Sequence, residues 1–267
     1  MTQFINQGIF KEIEGRTLSS FLKEICIQND LDKIKYIFES DVLEEIFGIK
    51  CSEYLSDTLE EIERIILDSD LIKKCCEADS IDILEYILGY CYGANAFMSE
   101  DLQSQIDDAV SVCCQNGSLK CLDYILNSEK ITINGEFEGN LLFMYAFENN
   151  HLNVVDYLLH SSKVEDIKKQ SIKSGQLLKN VCAYGNLNTI KYLFNLPELK
   201  DKLDIHVEKD ECFRILATKN KMDVLAYLIF DLEIEKTEYI NNFLKVTTRA
   251  EIKPMFDVRE LQKELHE

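Results

Sequence analysis

Ten cysteines and four histidines are the residues of this chain with reactive chemistry of their own, so their spacing decides first which reactions are open to it. Structural zinc takes cysteines paired about two to four residues apart on short turns. No such pair occurs. Cys75-Cys76 and Cys113-Cys114 are direct neighbours, Cys113 and Cys121 stand eight apart, and Cys91 and Cys212 are scattered. Adjacent cysteines cannot readily bridge each other, and buried thiols behave as small hydrophobes. They are therefore expected to be reduced core residues of a cytoplasmic protein. The histidines have equally plain readings: His151 hydrogen-bonds backbone at a turn, His160 follows a helix end, His206 sits in a loop and His266 in the tail. The ten glycines fall mostly singly, without a phosphate-cradling loop, and there is no nucleophile-elbow or zinc-protease pattern. The expectation is a non-enzymatic protein with no metal and no cofactor, which leaves open only a Cys-His pair assembled in space.

Charge narrows the partners. With 29 basic and 48 acidic residues the formal charge is −19, which argues against DNA or RNA, since their affinity comes largely from cationic contacts to phosphate. The acid lies in short pairs, Glu44-Glu45, Glu60-Glu61, Asp107-Asp108 and Asp210-Glu211. These read as solvated helix faces, or as a diffuse negative field that speeds encounter with a basic partner. No run of 18 or more apolar residues exists, and no cationic segment followed by an apolar run opens the chain. Neither a membrane span nor a secretory signal is expected.

The residues that carry the organisation are tyrosines. Tyr36, Tyr86, Tyr124, Tyr157, Tyr192 and Tyr227 each centre a copy of one phrase, and the last four lie 33 to 35 residues apart. Self-similarity at that period is the signature of a repeat architecture. Seven residues before each tyrosine stands Asn29, Asp79, Gly117, Asn150, Gly185 or Asn220, types that tolerate the left-handed backbone of a helix stop. Apolar residues at offsets −5, −2, +1 and +2 fall on one helical stripe, and the polar residue at −4 then faces water. A second helical pattern precedes each turn: Leu22, Ile25 and Cys26; Ile72, Cys75 and Cys76; Val110, Cys113 and Cys114; Phe143, Ala146 and Phe147; Leu178, Val181 and Cys182; Phe213, Leu216 and Ala217.

A unit of helix, Gly/Asn turn, helix and loop at this period resembles the ankyrin repeat, over roughly residues 17–245. The match is to the Ala-Ala-x-x-Gly-His-x-x-x-Val-x-x-Leu-Leu portion, with Cys or Phe often in place of alanine and His151 alone keeping the histidine. The Thr-Pro-Leu-His opening is absent from every copy, and Pro197 and Pro254 are the only prolines. The expected fold is all-α: an ankyrin-type helical solenoid of about six repeats in one elongated domain, residues 1–245, with a tail at 246–267. An ordinary helical bundle is the bland alternative.

Three departures from the period are expected to be structural. The spacing of 50 between Tyr36 and Tyr86 leaves an insertion over 39–69, with Val42, Leu43, Ile46 and Phe47 before Gly48 and Leu59, Ile62 and Ile66 after a capping Asp57. Ile5, Ile9 and Ile13 suggest a first capping helix, and Tyr239, Ile240, Phe243 and Leu244 a final half-repeat. Asp257 could cap a tail helix with Val258, Leu261 and Leu265 on one stripe, docked on the last repeat or on a partner.

The resemblance implies that another protein is bound through the loop tips and the exposed positions before each turn. Those positions are Glu77 and Ala78, Gln115 and Asn116, Glu148 and Asn149, Ala183 and Tyr184, Thr218 and Lys219, joined by the loop residues Phe137, Glu138 and Asn140. Tyr184 is the expected anchor, unless it packs on its own loop. A basic partner surface fits the charge. An assembly role and an acidic mimic of nucleic acid are the alternatives, though no row of carboxylates at phosphate-like spacing is visible. Low Pro, no Trp and many Ile, Lys, Asn and Tyr suit an AT-rich genome, as in many amoebae, their viruses and intracellular bacteria. An effector acting in a host cytoplasm is thus among the expectations.

Overall fold

The computed structural model describes residues 17–39, 55–93, 99–129, 131 and 139–246, and these are helical with no strand among them. The segments expected to form a first capping helix (Ile5 to Ile13), the first inserted helix (Val42 to Phe47) and the tail helix (Asp257 to Leu265) lie outside the described residues. The chain divides into two compact units, residues 1–136 and 137–267.

In the first unit, α1 (Leu18–Gln28) pairs with α2 (Leu31–Glu39), an extra helix α3 (Leu55–Asp68) follows, and α4 (Leu71–Ala78) pairs with α5 (Ile81–Gly93) and α6 (Glu100–Asn116) with α7 (Leu119–Asn127). The first helices α1, α4 and α6 stack in that order, and so do the second helices α2, α5 and α7. The insertion thus supplies α3, which lies against α4 and α6. It begins at Leu55, so Asp57 is inside the helix and is not its cap.

The second unit repeats this plan. α8 (Gly139–Glu148) pairs with α9 (Leu152–His160), α11 (Gln176–Tyr184) with α12 (Leu187–Asn195), and α13 (Val207–Thr218) with α14 (Met222–Ala226), which runs on as a π-helical turn over Tyr227–Asp231. α8, α11 and α13 stack, and α15 (Glu238–Val246) covers α13. Between α9 and α11 the chain forms α10 (Glu165–Lys173), a helix that sequence periodicity does not suggest because little of it is apolar. α10 packs on α8, α9 and α11. Of the final half-repeat, Ile240 is buried while Tyr239 stays 38% exposed, its ring edge-on to Phe213.

The stripe explains why these helices pack. Positions −2 and +1 are buried in all six pairs, from Ile34 and Ile37 to Leu225 and Leu228. Position −5 is only half-buried, and the buried place expected for it belongs to −3 in five pairs, as Ile83, Cys121, Val154, Thr189 and Val224. Every −4 residue is exposed. The first-helix triplets are buried throughout except Ala217, which is half-buried.

Two sets of polar contacts join one pair to the next. Asn29, Asp79, Gly117, Asn150 and Asn220 all have positive φ, as a helix stop requires. Three of these side chains also reach forward: Asp79 Oδ1 accepts from the backbone of Lys120 (3.0 Å) and Cys121 (3.1 Å), Asn150 Oδ1 accepts from Asn186 (3.0 Å) and Thr189 (3.2 Å), and Asn29 donates to Asp82 (2.6 Å). Gly185 differs. Its φ is −72°, and glycine is required there because a Cβ would lie 2.6 Å from Val181 Cγ2 and 2.8 Å from the Val181 carbonyl. The second set explains the tyrosines. The residue just before one tyrosine meets the tyrosine of the next pair: Lys35 lies over the Tyr86 ring (5.7 Å), Lys191 over Tyr227 (5.2 Å), and Asp156 accepts from the Tyr192 hydroxyl. Glu85 likewise faces Tyr124, whose hydroxyl pKa is raised by burial and then by that charge.

Candidate functional site

The ends of the first helices are built alike. Each helix runs toward its turn with an apolar face against its stacked neighbours, so the last two residues before the turn are carried past the core and into solvent. In the first unit, Glu77, Gln115 and Asn116 are exposed and Ala78 is half-buried; in the second, Glu148, Asn149, Tyr184, Thr218 and Lys219 are exposed and Ala183 is half-buried. The amides of Asn116 and Asn149 turn back to donate to Val112 O (2.9 Å) and Tyr145 O (3.0 Å), so each occupies a carbonyl of its own last turn. Asn140 lies near the start of α8, and Phe137 and Glu138 lie outside the described residues.

The second unit brings two of the expected residues together. Tyr184 is 39% exposed, and Lys219 Nζ from the next first helix stands 5.8 Å from its ring centroid. An ammonium at that distance is attracted by the ring face. Beneath this pair, Lys221 Nζ donates to the carbonyls of Ala183 (3.0 Å) and Gly185, closing the C-terminus of α11. Burial holds the Lys221 ammonium below its usual pKa.

One residue of this set escapes the sequence argument. Ile27, in the same register on α1, is 64% exposed, the largest exposure among the big apolar side chains of the described residues. Extending the register of Glu77, Gln115 and Glu148 back to the first pair is the signal that would have found it.

The described cysteines are unbridged, and all but the half-buried Cys91 are buried. Cys26 Sγ lies 3.7 Å from Cys75 Sγ, and that contact, together with burial, pushes the Cys75 thiol pKa up. A contact with Cys212 does the same to Cys182, and burial alone raises Cys114 to about 12. Thiols held in their protonated form are poor nucleophiles and poor metal ligands. Among the described residues no group of His, Cys, Asp and Glu could hold a metal ion, and no helix is long and apolar enough to cross a membrane. His206 Nδ1 approaches the buried Asp210 at 2.6 Å, and the other Asp210 oxygen accepts from Thr237 (2.6 Å). This arrangement fastens the start of α15 to α13.

Neither a curated protein nor a solved structure matches the chain. The family model for ankyrin repeats matches residues 72–171, in three copies. That span runs from α4 to α10 and contains the helix pairs α4–α5, α6–α7 and α8–α9 with the left-handed turns at Asp79, Gly117 and Asn150, within an all-helical fold of the ankyrin solenoid type. Residues 72–171 of the chain are thus ankyrin repeats.

Proposed function

We propose that this protein binds another protein through the residues that end its first helices, in keeping with the general role of ankyrin repeats as interaction modules. The observation that carries the reading is the position of Ile27 and Tyr184. Two of the three large apolar side chains left exposed among the described residues occupy the register just before the turn. Elsewhere in the described helix pairs the large apolar side chains are buried or half-buried. An exposed aromatic is a typical source of binding energy because its area is large and little rotamer entropy is lost on fixing it. Lys219 stands over the Tyr184 ring, and its attraction favours that placement of the side chain before binding.

The partner surface this reading favours is apolar at its centre and basic at its rim. Glu148 beside the second-unit surface and Glu77 beside the first would steer it, as would the chain's charge of −19. The reading includes no chemistry performed on the partner.

The test is kinetic. With the partner recovered by affinity capture on the full chain, Tyr184→Ala is expected to raise the dissociation rate about tenfold, since a desolvated anchor acts after encounter. Glu148→Lys is expected to slow association and flatten its salt dependence, because exposed charges are screened above about 0.1 M salt. Unchanged rates for both, in variants with wild-type circular dichroism, would place the interface elsewhere.

A further inference from the structure

We propose that the groove beside α10 is a second docking site, which takes a short acidic peptide segment carrying one bulky apolar residue. The groove has a volume of about 310 Å³ and lies between α10, the end of α9 and the turns after α12. Leu159 and Leu199, both buried, and the half-buried Ile172 form its apolar part; Lys169, Lys173 and Lys202 stand around it, all exposed.

Charge decides the occupant. Residues 161–202 contain eight lysines and four acidic residues, a net +4 inside a chain of −19. The two carboxylates at the groove are already engaged. Glu165 pairs with Lys168 (2.5 Å) and Lys169 (3.4 Å), and Glu198 approaches His160 Nε2 at 3.0 Å. Lys168 is also spent, its Nζ donating to Leu159 O at 2.7 Å. The ammonium groups of Lys173 and Lys202 have no hydrogen bond or ion pair with any described residue and are free to meet an incoming anion. An apolar floor under unpaired ammonium groups complements a segment in which carboxylates flank a large apolar side chain.

The rest of the chain limits how long that segment can be. Outside residues 161–202 the net charge is −23. A polyanion long enough to leave the groove, such as nucleic acid or an anionic membrane, would meet this opposing field, whereas a short segment stays within about one Debye length of the lysines, roughly 10 Å at 0.1 M salt. The site arises from α10, a helix that stands where a simple pair-to-pair connection would be, and it is separate from the helix ends of the preceding proposal.

Fluorescence anisotropy of the full chain with a labelled peptide, one phenylalanine flanked on each side by three glutamates, tests this. Binding is expected to weaken at least about tenfold with the double substitution Lys173→Glu and Lys202→Glu, and again when the phenylalanine is replaced by alanine. Tyr184→Ala is expected to leave it unchanged, which separates this site from the helix-end surface. No binding, or equal binding by the double variant with wild-type circular dichroism, would overturn the proposal. Equal binding of the alanine peptide, or full displacement by inorganic polyphosphate at matched charge, would overturn the peptide assignment in favour of a simple anion patch.

Discussion

Glycine at a turn can answer two different demands, and the chain uses both. Gly117 has φ +76°, where a side chain would strain the backbone, while Gly185 has an ordinary φ of −72° and is needed because Val181 crowds its Cα. Gly185→Ala is therefore expected to cost about 1–3 kcal/mol through overpacking, and truncating the neighbour with Val181→Ala in the same chain should recover part of that loss in denaturant unfolding. Absence of any recovery would mean that crowding is not the cause. A histidine supplies the pH dependence at this scale. The Asp156 carbonyl, 2.8 Å from His160 Nδ1, raises the His160 pKa most, and the charges of Asp156 and Glu198 add to it. A folded pKa above the unfolded one contributes stability that is fully present below about pH 6.5 and is lost as pH rises through the folded value. His160→Gln should remove this small increment, so wild type and variant should differ most in melting temperature near pH 5.5 and converge by about pH 8. A constant difference across that range would contradict it.

Turn residues connect the helix pairs as well as ending helices. Asp79 illustrates this: its left-handed φ stops α4, and its carboxylate accepts from the first free N–H groups of α7 in the following pair. Asp79→Gly keeps the backbone conformation but removes the acceptor, and should cost about 1 kcal/mol; Asp79→Asn keeps one acceptor oxygen and should cost less. Chemical denaturation of the three proteins checks the order, and a glycine variant as stable as wild type would show that the forward contact contributes nothing. Much of this was legible in sequence. The turn positions and the −2 and +1 stripe follow from residue type and period alone, as do the first-helix triplets. The buried −3 position was not, because Ile83, Cys121, Val154 and Thr189 share no obvious class and Lys33 breaks the column. α10 was hidden for a related reason: with Ile167 and Ile172 as its only apolar residues, it offers hardly any period to detect. The reason for the tyrosines was also invisible, since Lys35, Glu85, Asp156 and Lys191 use charges of either sign against the same ring position.

For the whole molecule, architecture and charge together define what it can bind. Among the described residues, the stacked helix pairs bury most of the apolar stripe and all the cysteines but Cys91, and apolar side chains reach solvent beside charged ones at the helix ends, at the α10 groove and at Tyr239. The helix-end positions were named from sequence because the repeat register carries them; Ile27 follows from the same register, and the groove could not be, since it forms where α9, α10 and the turns after α12 converge. The direct test of the helix-end reading is site-specific photo-crosslinking in the native cell lysate, with a photoreactive phenylalanine placed in the full chain at Tyr184 or, as a control, at Asn188 on the exposed −4 face of α12. The account predicts a discrete protein adduct from position 184 and none from 188, and equal adducts from both, or an adduct from 188 alone, would contradict it.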